Sequence, residues 1–110
     1  MFLDEIFPTP IWGFDLDMDV DSIKYWCYSC MKENPGRVIS NVGGWQSEDY
    51  REFGHTPLTD LVLYIVKESH NIAKDIGIPE GDRWIENLWV NINPKYSYNQ
   101  VHVHPEARLS

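Results

Sequence analysis

The chain is poor in cysteine and in basic residues, and it contains no long apolar run. Two cysteines among 110 residues are too few for a disulfide framework. The 9 basic residues are outnumbered by 17 acidic ones, so the net charge of −8 argues against a nucleic-acid or membrane-surface binder. No apolar run approaches the ~18 residues that a membrane span needs, and the start carries no basic region followed by an apolar stretch. We therefore predict a cytoplasmic protein in a reducing compartment, with no nucleic acid and no membrane as partner.

Aromatic residues, in contrast, are plentiful. They reach 14% of the chain, with 5 Trp, 6 Tyr and 4 Phe, while apolar residues make up 43%. That composition is ordinary for a folded domain and too apolar for a disordered one. The length predicts a single domain over residues 1–110, and the aromatic surface predicts a core, a concave pocket or an interface.

The hydrophobic pattern predicts an α+β fold with two helices and antiparallel strands. A 3.6-residue periodicity favours a first helix over residues 21–33, and a second helix begins near Thr56 and Pro57 and ends at Gly77. Two-residue alternation predicts a strand over residues 84–93, and residues 100–104 are interpreted as another. Residues 38–47 are expected to be extended, and the prolines of residues 6–14 confine that segment to a sheet edge.

The pair His102 and His104 is the first candidate for chemistry. On a strand, alternate side chains face the same way, so two imidazoles separated by Val103 can converge on one metal ion. Tyr98 and Asn99 lie just upstream, and Asn91 lies on the preceding strand, so these polar side chains could line a ligand pocket beside the pair. The alternative is that the histidines and the amides are solvent-facing polar residues of a sheet.

The second candidate is the Cys-x-x-Cys arrangement of Cys27 and Cys30, which is compatible with a redox or zinc site. Both cysteines fall on the apolar stripe of the first predicted helix, however, and there is no second Cys-x-x-Cys. A buried free cysteine behaves as a small hydrophobic residue. We expect both to serve packing, and we assign neither His55 nor His70 to a site.

Four segments together resemble a known family. They are FPTPI at residues 7–11, SNVGGWQS at 40–47, WVNIN at 89–93 and YNQVHVHP at 98–105. In this order they resemble the iron(II)/2-oxoglutarate-dependent oxygenases found in marine bacteria and their phages. The resemblance implies a double-stranded β-helix, or jelly roll, of which this chain is the N-terminal portion. It also implies Fe(II) and 2-oxoglutarate as cofactors, with His102 and position 104 as metal ligands.

The resemblance also implies that this chain alone is inactive. The wider superfamily binds iron with two histidines and one carboxylate, but here His104 stands at the carboxylate position, with Glu106 two residues further on. The distal ligand and the basic partner of 2-oxoglutarate belong to strands that follow in the family.

We expect a homodimer or larger homo-oligomer to cover the apolar sheet face, with Trp84 or Trp89 at the interface. The alternatives are a small non-enzymatic α+β module that self-associates, and a simple metal-binding protein that uses the His pair.

Overall fold

The computed structural model describes residues 1–52, 54–82 and 84–105. In this part the chain forms an α+β fold, as the sequence predicts, with two helices and two small antiparallel sheets. The elements in chain order are α1 (Val20–Glu33), β1 (Asn41–Val42), β2 (Trp45–Gln46), α2 (Leu58–Asp75), β3 (Asn91–Ile92) and β4 (Tyr98–Asn99).

Helix α1 confirms the prediction for residues 21–33 to within one residue. Asp19 caps it, because its carboxylate accepts hydrogen bonds from the Ser22 backbone N–H at 3.1 Å and from the Ser22 hydroxyl at 2.6 Å. At the other end, Asn34 is extended and is followed by Pro35, a residue that disfavours helical backbone before it. The helix therefore begins and ends where its local residues dictate.

The Asp19 cap gives a pH-dependent prediction. The bonds from Ser22 lower the pKa of Asp19 below its ordinary value of 3.8. A carboxylate with a depressed folded-state pKa stabilises the fold above its unfolded pKa, and that contribution is lost as pH falls through the folded pKa. We expect Asp19→Ala to reduce the helical content and stability at neutral pH, and the difference from the wild type to vanish in strong acid. Thermal unfolding followed by circular dichroism at several pH values measures the difference in stability. Asp19→Ser is the control, because serine can still cap the helix. A loss of stability in Asp19→Ala that is the same at every pH would contradict the prediction.

Helix α2 also confirms its prediction and supplies most of the core. Its first turn is supported by Thr56, whose hydroxyl accepts a hydrogen bond from the Leu58 N–H at 3.2 Å. Beyond its end, Gly77 adopts φ +76°, a left-handed conformation that glycine adopts without steric cost. Leu58 and Val62 form the buried cluster of the described chain. The partly buried residues that pack against this cluster are Ile23, Trp26, Tyr50, Leu61, Val66, Ile85 and Leu88.

The two sheets join two segments that are far apart in the sequence, residues 40–50 and residues 88–100. β1 pairs with β4, which sets Asn41 opposite Asn99, and β2 pairs with β3, which sets Gln46 opposite Asn91. An isolated bridge between Tyr50 and Leu88 continues the second pairing. Segment 40–50 is thereby joined to segment 88–100 through two short ladders, and this junction carries the candidate site.

The strands are shorter than the sequence predicts. Within the predicted strand 84–93, only β3 and the bridge at Leu88 pair with another segment. The predicted strand 100–104 is wrong. Pairing along β4 ends at Gln100, whose N–H donates to the Ser40 carbonyl at 2.6 Å. A strand needs a partner backbone, and none pairs with residues 101–104 within the described chain. The predicted edge segment 6–14 likewise contains no strand. In the part of the chain that the structure describes, no helix combines the length and apolar character needed to cross a membrane.

Candidate functional site

The imidazoles of His102 and His104 lie side by side just after β4. Their ring centres are 4.9 Å apart, and the ring planes are inclined by 40°. Both residues are exposed and lie on backbone with no regular secondary structure. An extended chain still projects alternate side chains toward one side, so the predicted convergence does not require a paired strand.

A backbone hydrogen bond orients His102. Its Nδ1 lies 2.8 Å from the carbonyl oxygen of Gln100. Because a carbonyl can only accept, Nδ1 carries a proton in this contact, and in the neutral ring Nε2 then keeps its lone pair. Histidines that bind metals usually donate their second ring N–H in this way, so His102 presents Nε2 as a free ligand atom.

The ring of His104 is held by an aromatic residue that sequence reasoning did not assign to the site. Trp89 stacks on His104 with ring centres 5.8 Å apart and an angle of 14° between the planes. The guanidinium of Arg37 lies 6.0 Å from the centre of the Trp89 ring, and Arg37 also pairs with Asp49 at 2.7 Å. The Arg37–Asp49 ion pair, the Trp89 indole and the imidazoles of His104 and His102 therefore form one continuous series of contacts. In the sequence, Trp89 stands two residues before Asn91. That spacing predicts only that the two side chains share one face of a strand, and it does not predict the contact with His104.

Asn91 and Asn99, two of the predicted pocket residues, do come together. The Asn99 side-chain amide donates to Asn91 Oδ1 at 3.5 Å and to the Ser40 hydroxyl at 3.2 Å, while Asn93 donates to Asn99 Oδ1 at 2.8 Å. Tyr98 precedes Asn99 on β4, and successive strand residues face opposite sides, so the exposed Tyr98 ring points away from this cluster. The amides bind chiefly one another and Ser40, which ties β3, β4 and the segment before β1 together.

The SNVGGWQS segment, residues 40–47, contains β1 and β2 and supports this junction through buried hydrogen bonds. The side chain of buried Asn41 accepts a hydrogen bond from Ile39 N–H at 3.0 Å and donates to the carbonyls of Arg37 at 3.2 Å and Gly44 at 3.1 Å. A Cβ on Gly44 would stand 3.0 Å from the carbonyl oxygen of Ile92 and would collide with the Asn93 amide, so glycine lets β3 lie this close without displacing the Asn93 side chain.

Ser47 completes the same segment. It is buried, its N–H donates to the Val90 carbonyl, and its hydroxyl accepts from the Val90 N–H, both at 2.9 Å. The hydroxyl itself donates to the Glu48 carbonyl at 2.8 Å. Ser47 thereby fixes the backbone immediately after Trp89, the residue that stacks on His104.

Among the described residues, no cysteine joins the histidine pair to form a metal-binding group. Cys27 and Cys30 are free and half-buried on α1, close to Tyr50. Burial raises the pKa of the Cys27 thiol, and the nearby Cys30 adds to the shift. Burial also raises the pKa of the Tyr50 hydroxyl, and its hydrogen bond with Cys30 raises it further. The raised pKa of Cys27 disfavours its thiolate, which is the reactive form of cysteine.

We accordingly expect Cys27 and Cys30 to react slowly with a thiol reagent under native conditions and much faster in denaturant. The physical reason is that the fold partly covers both thiols and raises the pKa of Cys27, which disfavours the thiolate of that residue. Absorbance of a chromogenic disulfide reagent at neutral pH follows the reaction. Rapid native labelling, or a reversible disulfide near cellular potentials, would contradict a packing role and favour the redox alternative.

The other two histidines do not join the pair. His55 lies in the turn before α2 with φ 63°, and His70 Nδ1 lies 2.8 Å from the Val66 carbonyl within α2. Across residues 1–52, 54–82 and 84–105, no group of three His, Cys, Asp or Glu side chains is placed to hold a metal ion. Glu106, the carboxylate considered above, lies outside the described residues.

Comparison with known proteins adds no assignment. The chain matches no protein-family model, no curated protein and no solved structure.

Proposed function

We propose that this chain is part of an iron(II)/2-oxoglutarate-dependent oxygenase, in which His102 and His104 supply two metal ligands. The single observation that carries the proposal is the imidazole pair, with ring centres 4.9 Å apart and the His102 Nδ1 bonded to a backbone carbonyl. The sequence resemblance over residues 7–11, 40–47, 89–93 and 98–105 supplies the reaction class. The proposed complete fold is a jelly roll, in which the two small antiparallel sheets are its first ladders, and the proposed compartment is the cytoplasm.

The separation of the two rings fits a shared metal ion. With metal–nitrogen bonds of about 2.0–2.1 Å and bond angles of about 90–110° at the metal, imidazole centres stand roughly 4.5–5.2 Å apart. The observed 4.9 Å falls inside that interval. The donor set is also suitable, since imidazole nitrogen binds Fe(II) as well as Co(II), Ni(II) and Zn(II).

Within this chain, the protein's contribution is to orient the two ligands. The Gln100 carbonyl fixes the His102 tautomer, and Trp89 restricts the ring of His104. When bound, the iron supplies Lewis acidity and redox chemistry for oxidation of a substrate with 2-oxoglutarate and O₂. Two imidazoles hold such an ion weakly, so further ligands are required for turnover.

The absence of a third ligand within the described residues favours one other candidate, a simple metal-binding protein. In that case the two histidines bind a divalent ion together with ligands from a second molecule. The two candidates differ in whether 2-oxoglutarate binds together with the metal.

Anaerobic equilibrium dialysis with Fe(II) and 2-oxoglutarate separates these candidates. If the oxygenase proposal is right, retention of 2-oxoglutarate depends on the metal and is lost in His102→Ala. Retention of the metal without 2-oxoglutarate would favour the simple metal-binding protein, and retention of neither would reject both. We expect little or no succinate from this chain in air with ascorbate, because two imidazoles cannot also orient a bidentate 2-oxo acid.

A further inference from the structure

The chain exposes far more surface than a compact protein of its mass. Its accessible surface is 9289 Å², whereas a compact monomer of 12.9 kDa exposes roughly 6300 Å². Its radius of gyration is 16.8 Å, against about 13 Å for a compact chain of this length. The excess of roughly 3000 Å² per chain is several times the ~800 Å² that each partner contributes to a standard interface.

Much of the apolar part of this excess lies in an N-terminal arm, residues 1–12. The arm has no helix or strand, and most of its large side chains are strongly exposed, including Phe2 at 96% and Phe7 at 94%, whereas Trp12 is only 36% exposed. The first aromatic contact along the chain comes after the arm, where Phe14 meets Tyr64 of α2 edge-on with ring centres 6.2 Å apart. Exposed apolar side chains at this density mark an interaction surface rather than a solvated tail.

An apolar groove is available to receive such an arm. It lies beside the N-terminal half of α2 and has a volume of about 350 Å³; most of its surface is apolar, although the charged residues Arg51 and Glu52 also line it. Val62 lies at its base and is buried, while Leu63 and Trp84 form its exposed walls. The partly open indole of Trp84, 66% exposed, offers a large surface for a second aromatic side chain.

We propose that two copies of this chain exchange their N-terminal arms, so that an aromatic side chain of each arm lies in the groove of the other copy. A two-fold arrangement uses the same arm and groove twice, so it doubles the burial that one contact provides. Twelve extended residues reach at most about 40 Å, which exceeds the two shorter dimensions of the molecule, 32 and 27 Å. Pro8 and Pro10 keep the arm extended and lower the entropic cost of ordering it.

Light scattering coupled to size-exclusion chromatography tests the proposal. At about 50 µM we expect the full chain to elute at twice 12.9 kDa. The double variant Phe2→Ser/Phe7→Ser should weaken the dimer roughly a hundredfold or more, because buried aromatic anchors dominate interface energies. The matched control is Val38→Ser, an apolar residue that is 84% exposed outside the arm and should leave the dimer intact.

Mixing two variants distinguishes exchange from an arm that folds back on its own chain. The groove variant is Trp84→Ser, with Leu63→Ser as the substitute if circular dichroism shows a loss of helix. We expect each variant alone to be monomeric, and an equimolar mixture of arm and groove variants to recover a heterodimer with one intact contact. A monomeric wild type at 50 µM, a dimer that survives Phe2→Ser/Phe7→Ser, or no recovery in the mixture would overturn the proposal.

Discussion

Replacing His102 with alanine is expected to lower the affinity of the protein for Co(II) or Ni(II) by roughly a hundredfold or more. Changes to residues that merely orient a ligand already cost 10–100-fold, so loss of a ligand costs at least as much. The remaining His104 would be a single monodentate imidazole on an exposed segment. Titration calorimetry with untagged protein measures the effect, and protons should compete with the metal, so the affinity of the wild type should fall as pH is lowered.

His55→Ala and His70→Ala are the matched controls for this experiment. His55 lies in the turn before α2, and the His70 ring is engaged by the Val66 carbonyl within α2, so neither is part of the His102–His104 pair. Both variants should therefore bind metal as the wild type does. An equal loss of affinity in all the histidine variants would instead indicate nonspecific binding at the surface.

Replacing Asn41 with alanine is expected to destabilise the fold by about 2–4 kcal/mol. The buried side chain makes three hydrogen bonds to backbone groups, and the variant would leave the Ile39 N–H and the Arg37 and Gly44 carbonyls without these partners. Each unsatisfied buried group costs about 1–3 kcal/mol, partly offset where water can enter. Urea denaturation followed by circular dichroism gives the change in the free energy of unfolding.

Asn71→Ala is the control for this substitution. Asn71 is exposed on α2 and its amide contacts the Glu68 carboxylate at 3.3 Å, so its loss should change the stability by less than about 0.5 kcal/mol. If Asn41→Ala were equally mild, the turn between β1 and β2 would be organised by the paired strands and not by the asparagine side chain.

The helices could be predicted from the sequence because their signals are local. The Asp19 cap, the apolar stripes and Gly77 all act within a few residues of the element that they define. The strands could not be bounded in this way. The partner of Asn99 is Asn41, and alternation in residues 84–93 carries no information about how few of those residues find a partner.

Of the candidate site, only the His102–His104 pair could be predicted from the sequence. His102 and His104 are two residues apart, and this spacing was enough to predict that their side chains can converge. The stacking of Trp89 on His104 depends on how β3 and β4 are joined to the SNVGGWQS segment, which no local pattern reports. The same holds for the ion pair between Arg37 and Asp49, because Arg37 is held beside Trp89 by its own backbone bridge to Gln46.

The interlocked ladders also set the order in which this protein can fold. Helices α1 and α2 form from contacts within a few residues, whereas the Ser47–Val90 and Ser40–Asn99 bonds join residues 43 and 59 positions apart. Closing loops of that length is entropically costly and slow compared with helix formation. During synthesis, the imidazole pair therefore acquires its supporting residues only after the last of these segments has left the ribosome.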